Sequence, residues 1–259
     1  MIRLNTHVYF VYTTFATNLQ NMPNTTLAEI LREHQPKFNT IVPFNLAQDK
    51  LLRFDFTASN KTLSPETVQD TKAFTQYIEA ELINENCTYG IGGYDENRTL
   101  YARSAVFDGA EPRRLHLGID IWGSLGTPIY APLDGVVHSF AFNDAFGDYG
   151  ATIILKHELE GHTFHTLYGH LALNAIRYLS MGDVISQGSR IAFFGNAEEN
   201  GHWPPHLHFQ SIIDMQGMEG DYPGVCALSQ RENYLANCPD PDLLLGMMQF
   251  AIDKKEQFA

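Results

Sequence analysis

The sequence predicts an α+β protein: a mixed α/β N-terminal region, residues 1–105, and a strand-rich region, residues 106–259, closing on a helix. Two observations carry this. Before residue 100, helix-capping signals alternate with one strand-like run. From Leu115 onward, short β-rich runs are separated by Gly, Pro, Asn and Asp, the spacing of an all-β unit. A chain of 259 residues, 44% hydrophobic and 18% charged, is long enough for one or two globular domains with real cores.

Along the chain, Asn24-Thr25-Thr26 precedes Leu27–Arg32 and reads as a capped short helix. Leu51–Phe56 alternates and reads as a strand. Ser64-Pro65-Glu66 combines an N-cap, a first-turn proline and an early acid, and Val68, Phe74, Ile78 and Leu82 continue a 3.6-residue period to about Glu85. Gly90–Tyr94 reads as a strand end or turn, and nothing in this region carries nameable chemistry. Strands are expected over His116–Trp122, Pro128–Ala131, Gly135–Ala141, Ala151–His157, Thr163–Tyr168, Ser189–Phe194 and His206–Ile213. Thr127–Val137 and Met181–Ala192 share one shape: turn, short strand, glycine, strand. Order loosens after Met215, and Pro239-Asp240-Pro241 caps a final helix from about Asp242 to Ile252.

Composition narrows the function. Lys plus Arg is 17 against 30 Asp plus Glu, a formal charge of −13, which repels nucleic acid and anionic membrane. No apolar run approaches the ~20 residues of a transmembrane helix. The short apolar patch Val8–Tyr12 lacks the length and cleavage site of a secretory signal, so a cytoplasmic chain is expected. Cys87, Cys226 and Cys238 form no C-x-x-C and read as free, buried thiols. No G-x-S-x-G elbow or phosphate loop is present.

Histidine is the anomaly: nine of the 11 fall between His116 and His208. His116-Leu117-Gly118-Ile119-Asp120 gives H-x-x-x-D; on a strand His116 and Asp120 share a face, and both are suitable zinc ligands. His206-Leu207-His208 places two imidazoles on one strand face with Leu207 toward the core. Tyr168-Gly169-His170-Leu171 supplies a further histidine. His157–His162 imitates H-E-x-x-H with one residue too many, and Gly161 breaks a helix, so it reads as a polar hairpin turn. His138, His157, His162, His165 and His202 are read as structural or surface residues.

Taken together, H-x-x-x-D, Y-G-H-L and H-x-H in this order resemble the lysostaphin/LytM-type zinc metalloendopeptidases. The flanks Gly126–Pro132, Asp134–Val137, Tyr149-Gly150, Thr166–Leu171 and Pro205–Phe209 extend the resemblance over roughly residues 113–214. It implies a mostly antiparallel, duplicated hybrid β motif with a groove. It also implies one zinc held by His116, Asp120 and His208, with His170 and His206 beside the water at the metal. Three protein ligands leave a fourth position open; one histidine takes the water proton and the other holds the oxyanion, in an order left open. The implied activity is hydrolysis of an amide bond in a peptide or peptidoglycan-derived peptide. Typical members are exported and cut cell-wall cross-links. Here Trp203–Gln210 through Gly220–Val225 to Cys238–Pro241 is more similar to a subgroup also found beside kinase-like and aminotransferase domains, for which a cell-wall substrate is an assumption. The alternatives are a non-hydrolytic binding or phosphocarrier-like module on the same scaffold, and an inactive member that binds partners. Residues 1–105 resemble no family and are given no role.

Overall fold

The computed structural model describes residues 25–45 and 47–254. The expectation for Val8–Tyr12 lies outside them. The helices are α1 (Leu27–His34), α2 (Pro65–Gln69), α3 (Thr71–Glu85), α4 (Arg231–Asn237) and α5 (Asp242–Leu245). The strands are β1 (Leu51–Phe54), β2 (Tyr89–Gly92), β3 (Glu96–Asn97), β4 (Arg113–His116), β5 (Ile119–Trp122), β6 (Pro128–Tyr130) and β7 (Gly135–Asn143). They continue with β8 (Gly150–Leu159), β9 (His162–Leu171), β10 (Val184–Ile185), β11 (Arg190–Phe193), β12 (His206–Ile212), β13 (Val225–Ala227) and β14 (Ala251–Ile252).

Nine strands form one sheet in the order β10-β7-β8-β9-β12-β5-β2-β1-β14. Pairing is antiparallel from β10 through β2 and parallel from β2 through β1 to β14. The fold is thus α+β and mostly antiparallel. Smaller sheets join β13-β4-β3 and β11-β6. The two similar sequence segments are each other's partners: β7 pairs with β10, and β6 with β11.

The central strands are buried on both faces. One face carries Ile119, Ile121, Ile153, Leu155, Tyr168, Leu207 and Phe209 in a single core cluster. Over the opposite face lie two clusters. Phe54, Phe56, Phe74, Ile78, Trp122 and Trp203 form one, and Leu115, Leu117, Ile154, Leu167, Ile212 and Tyr222 the other. Strand alternation therefore sends His206, His208 and Asp120 to the second face while their neighbours fill the first.

Local signals decide most boundaries. Thr26 and Glu29 form the capping box of α1. The helix expected from Ser64 to Glu85 is two helices, because Asp70 is extended (φ −94°, ψ 111°) and caps α3 through Ala73 N. Gly90–Gly92 is part of an interior strand, with glycines where Phe54 and Arg98 press in. The expected strand His116–Trp122 is interrupted at Leu117-Gly118, so β4 and β5 belong to different sheets. The final helix ends at Gly246 (φ 59°), and Ala251-Ile252 pairs with β1. The loosely ordered tail also contains α4. Residues 105 and 106 lie in one 3-10 turn, and the large sheet draws β1 and β2 from before it and β5 from after it. The three cysteines are buried and none forms a disulfide.

The hairpin β8–β9 turns at Glu160-Gly161, as the failed H-E-x-x-H pattern predicts. His157 sits in β8, fully buried, between the Asp134 carbonyl at 2.7 Å and Thr166 Oγ1 at 2.7 Å. Burial pushes its pKa down from 6.5 to about 4. The unfolded chain takes up this proton first, so His157 contributes stability that is full above pH 6.5 and lost as pH falls toward 4. Urea midpoints at about pH 7.5 and about pH 5 check this: the acid-induced drop is expected to be smaller in His157→Gln than in the parent, and equal drops would contradict it.

Candidate metal centre and cleft

β12 and β5 run antiparallel with His208 directly opposite Asp120. His116 reaches the same point from the end of β4, after which Leu117 N bonds to the Gly224 carbonyl at 2.9 Å and the chain crosses into β5. The H-x-x-x-D spacing therefore spans two sheets, not one strand. His116 Nε2, His208 Nδ1 and Asp120 Oδ1 form a triangle with sides of 3.0, 3.1 and 3.3 Å. All three residues are buried, and they are the one cluster of this kind among the described residues. Close approach is required here: a Cβ on Gly118 would stand 2.5 Å from His208 Cε1 and 2.7 Å from the Phe209 carbonyl.

The outer partners of these groups settle where the protons are. His116 Nδ1 donates to the Gly93 carbonyl at 2.9 Å, leaving Nε2 as a bare lone pair. His208 Nε2 faces Gln210 Oε1 at 3.0 Å. The Gln210 amide nitrogen is committed as a donor to the Pro223 carbonyl and Cys238 Sγ, so Oε1 accepts and His208 Nδ1 is bare. Burial, with the Arg98 charge nearby, pushes His116 down to about 4, so it is neutral at neutral pH. Burial by itself would raise Asp120, but the Arg98 guanidinium bonded to it holds the carboxyl well below its usual range. Three lone pairs thus face one another in a dry site. Such an arrangement is repulsive unless a cation sits among them.

The donor set fits a small divalent metal. Two imidazole nitrogens and one carboxylate oxygen at ~2.0–2.1 Å from a tetrahedral ion stand about 3.3 Å apart. The observed sides are 3.0–3.3 Å. The outer hydrogen bonds are those that orient metal-binding imidazoles.

His170 and His206 lie beside the triangle. Their rings stack at 4.0 Å, and His206 also stacks on Trp122 at 3.9 Å. His170 Nδ1 donates to the Asn200 carbonyl and His206 Nδ1 to the Pro204 carbonyl, each at 2.8 Å. Both Nε2 atoms are therefore acceptors. Burial pushes His206 down to about 4 and His170 well below its ordinary value, the latter aided by its histidine neighbours. His170 has φ 64°, a conformation rare outside glycine, held by its N–H on the Tyr149 carbonyl and its carbonyl on Gly195 N.

Asp120, His170, His206 and His208 open onto one cleft. Its walls include Tyr101 and Phe107 from the turns ahead of β4, Tyr149 and Trp203 from loops, and Tyr222–Val225. Tyr149 Oη is 3.5 Å from His208 Nε2, and burial raises its pKa well above 10, so it stays a hydroxyl donor.

All five residues singled out from sequence meet here. The histidines set aside do not: His157 and His165 are buried in β8 and β9, and His202 stacks on Phe146 in a loop. Sequence reasoning missed Arg98, whose guanidinium is bonded to Asp120 Oδ2, and Tyr101, whose ring lies 6.2 Å from that of His116. It also missed the Gly93 carbonyl. Tyr149 was noticed only as a flank. No periodicity marks Asn97-Arg98-Thr99; only the pairing of β3 with β4 brings it to the site.

Residues 114–219 match peptidase family M23. An uncharacterized metalloprotease of Haemophilus influenzae is 35% identical over 101 residues, covering 39% of this chain and 19% of the relative. The peptidoglycan DD-endopeptidase ShyA of Vibrio cholerae is 28% identical over 153 residues, covering 54% of this chain and 33% of the relative. The chain thus spans about a fifth to a third of these curated relatives. Among solved structures, the catalytic domain of lysostaphin from Staphylococcus simulans is 18% identical, covers 66% of this chain and 97% of its own, and has a TM-score of 0.40. The matched span, residues 114–219, holds His116, Asp120, His170, His206 and His208.

Proposed function

We propose that this chain is a zinc-dependent metallopeptidase that hydrolyses an amide bond in a peptide or peptidoglycan-derived peptide. One observation carries the reading: three buried lone-pair donors converge within 3.3 Å, beside two neutral histidines whose free nitrogens line the same cleft. The M23 match supports a hydrolase, and the Vibrio relative named as a peptidoglycan DD-endopeptidase supports the substrate class.

In this reading His116, Asp120 and His208 hold one zinc ion. Zinc, when bound, supplies Lewis acidity that polarises a carbonyl and makes water a stronger acid. His170 and His206 begin as acceptors at Nε2, so one of them takes the proton of the attacking water. That ring then carries an N–H it can return to the leaving amine. Because neither neutral ring has a proton at Nε2, this reading gives the oxyanion to the Tyr149 hydroxyl, which keeps its proton and lines the same cleft. The stacked Trp122 plane holds His206 in place and keeps water from its far face.

Zinc content and turnover, measured together on a defined muropeptide and a peptide library, test this. Asp120→Ala is expected to lose stoichiometric zinc, and His170→Ala and His206→Ala to keep zinc while turnover falls by ~10²-fold or more. Chelation should abolish cleavage and zinc restore it. Zinc lost with either histidine would make that residue a ligand, and phosphohistidine formation without amide cleavage would favour a carrier.

Gly118→Ala probes the same centre from the backbone. The added methyl pushes the His208 ring, so zinc affinity should fall by ~10-fold or more in a competition with a chromophoric chelator, with circular dichroism unchanged. Unaltered affinity would mean that His208 holds no metal.

A further inference from the structure

We propose that Arg98, which precedes the M23-matched segment, is a positioning residue of the metal centre. It occupies the second oxygen of Asp120 and so confines that carboxylate to one-oxygen binding of a small tetrahedral ion. The inference rests on the reading of His116, Asp120 and His208 as metal ligands.

The two Asp120 oxygens have separate partners. Oδ1 faces His208 Nδ1 at 3.1 Å and His116 Nε2 at 3.3 Å, and Oδ2 takes the Arg98 Nη1 donor. Arg98 has no freedom to leave. It is 1% exposed, donates through Nε to Glu96 Oε2 at 2.6 Å, and reaches the Tyr101 hydroxyl at 3.2 Å and the Gly93 carbonyl at 3.3 Å. Its guanidinium carbon lies 5.3 Å from the centroid of the Phe56 ring, and a Cβ on Gly92 would stand 2.6 Å from Nη2. The charges also balance: Glu96 and Asp120 flank one guanidinium, leaving one net negative charge for the cation.

Coordination chemistry gives this a consequence. Tetrahedral zinc and cobalt are satisfied by one carboxylate oxygen and two imidazoles. Manganese and calcium collect six or more oxygens and readily take both oxygens of a carboxylate. With Oδ2 already engaged, Asp120 has no second oxygen to offer, so the centre is biased toward the smaller ions. The Gly93 carbonyl acts on His116 from the same segment. Residues 93–101 thus supply the outer half of a centre whose inner half lies in the span that matches family M23.

The test uses the full chain and its Arg98→Lys and Arg98→Met variants, loaded with cobalt. Visible absorption reports coordination number, and zinc and manganese affinities are measured by competition. The parent is expected to show the intense bands of four-coordinate cobalt. Both variants should show weaker, higher-coordinate spectra, with zinc affinity reduced ~10–100-fold and manganese gaining relative to zinc. Arg98→Lys, which keeps a charge in the buried site, should be partly rescued and decides the matter if Arg98→Met fails to fold. Parent-like spectra and zinc affinity in the folded variants would overturn this inference and leave the metal-centre reading intact. A parent that binds neither zinc nor cobalt would overturn both.

Discussion

Lone pairs buried without a proton or cation between them repel one another, and the cleft face of the large sheet is organised around that constraint. His116, His170 and His206 each give a proton outward, to the Gly93, Asn200 or Pro204 carbonyl, and His208 turns Nε2 outward to Gln210. The inward nitrogens are left bare by design of the surroundings. Backbone carbonyls are well suited to this, because they accept only and cannot reverse the tautomer. The chain therefore spends ordinary backbone groups to hold an arrangement that is unfavourable until a cation enters.

The same constraint explains why the site sits where three elements meet. Asp120 and His208 are cross-strand neighbours, so their separation follows from sheet geometry. His116 comes from another sheet, and its approach depends on the kink at Leu117-Gly118. A carboxylate and a guanidinium this deeply buried must also be paired. Arg98 and Glu96 complete that pairing from the segment before the span that matches family M23. The sheet itself continues through β2 and β1, with Gly92 opposite Asp120. Fold and site thus draw on the N-terminal residues at the same place.

Packing supplies the rigidity. His206 lies between Trp122 and His170, and Trp203 packs its edge against both histidines. The positive φ of His170 is maintained by two backbone hydrogen bonds. Strain of this kind persists only where the surroundings over-determine it.

By itself the sequence determined the five polar residues, the strand character of the region after Leu115, the capped first helix, and the hairpin at Glu160-Gly161. These are local properties: alternation, caps and turn residues act within a few positions. H-x-H was legible because two residues on one strand must share a face. The tertiary structure alone decided that His116 and Asp120 lie on strands of different sheets, that Asp70 divides the helix after Ser64, and that Gly90–Gly92 is an interior strand. It alone brought Arg98 and the Gly93 carbonyl to a centre 22 and 23 residues away in sequence. Those facts depend on which strands pair, a choice made by burying both faces of the sheet at once, and no window of neighbouring residues contains it.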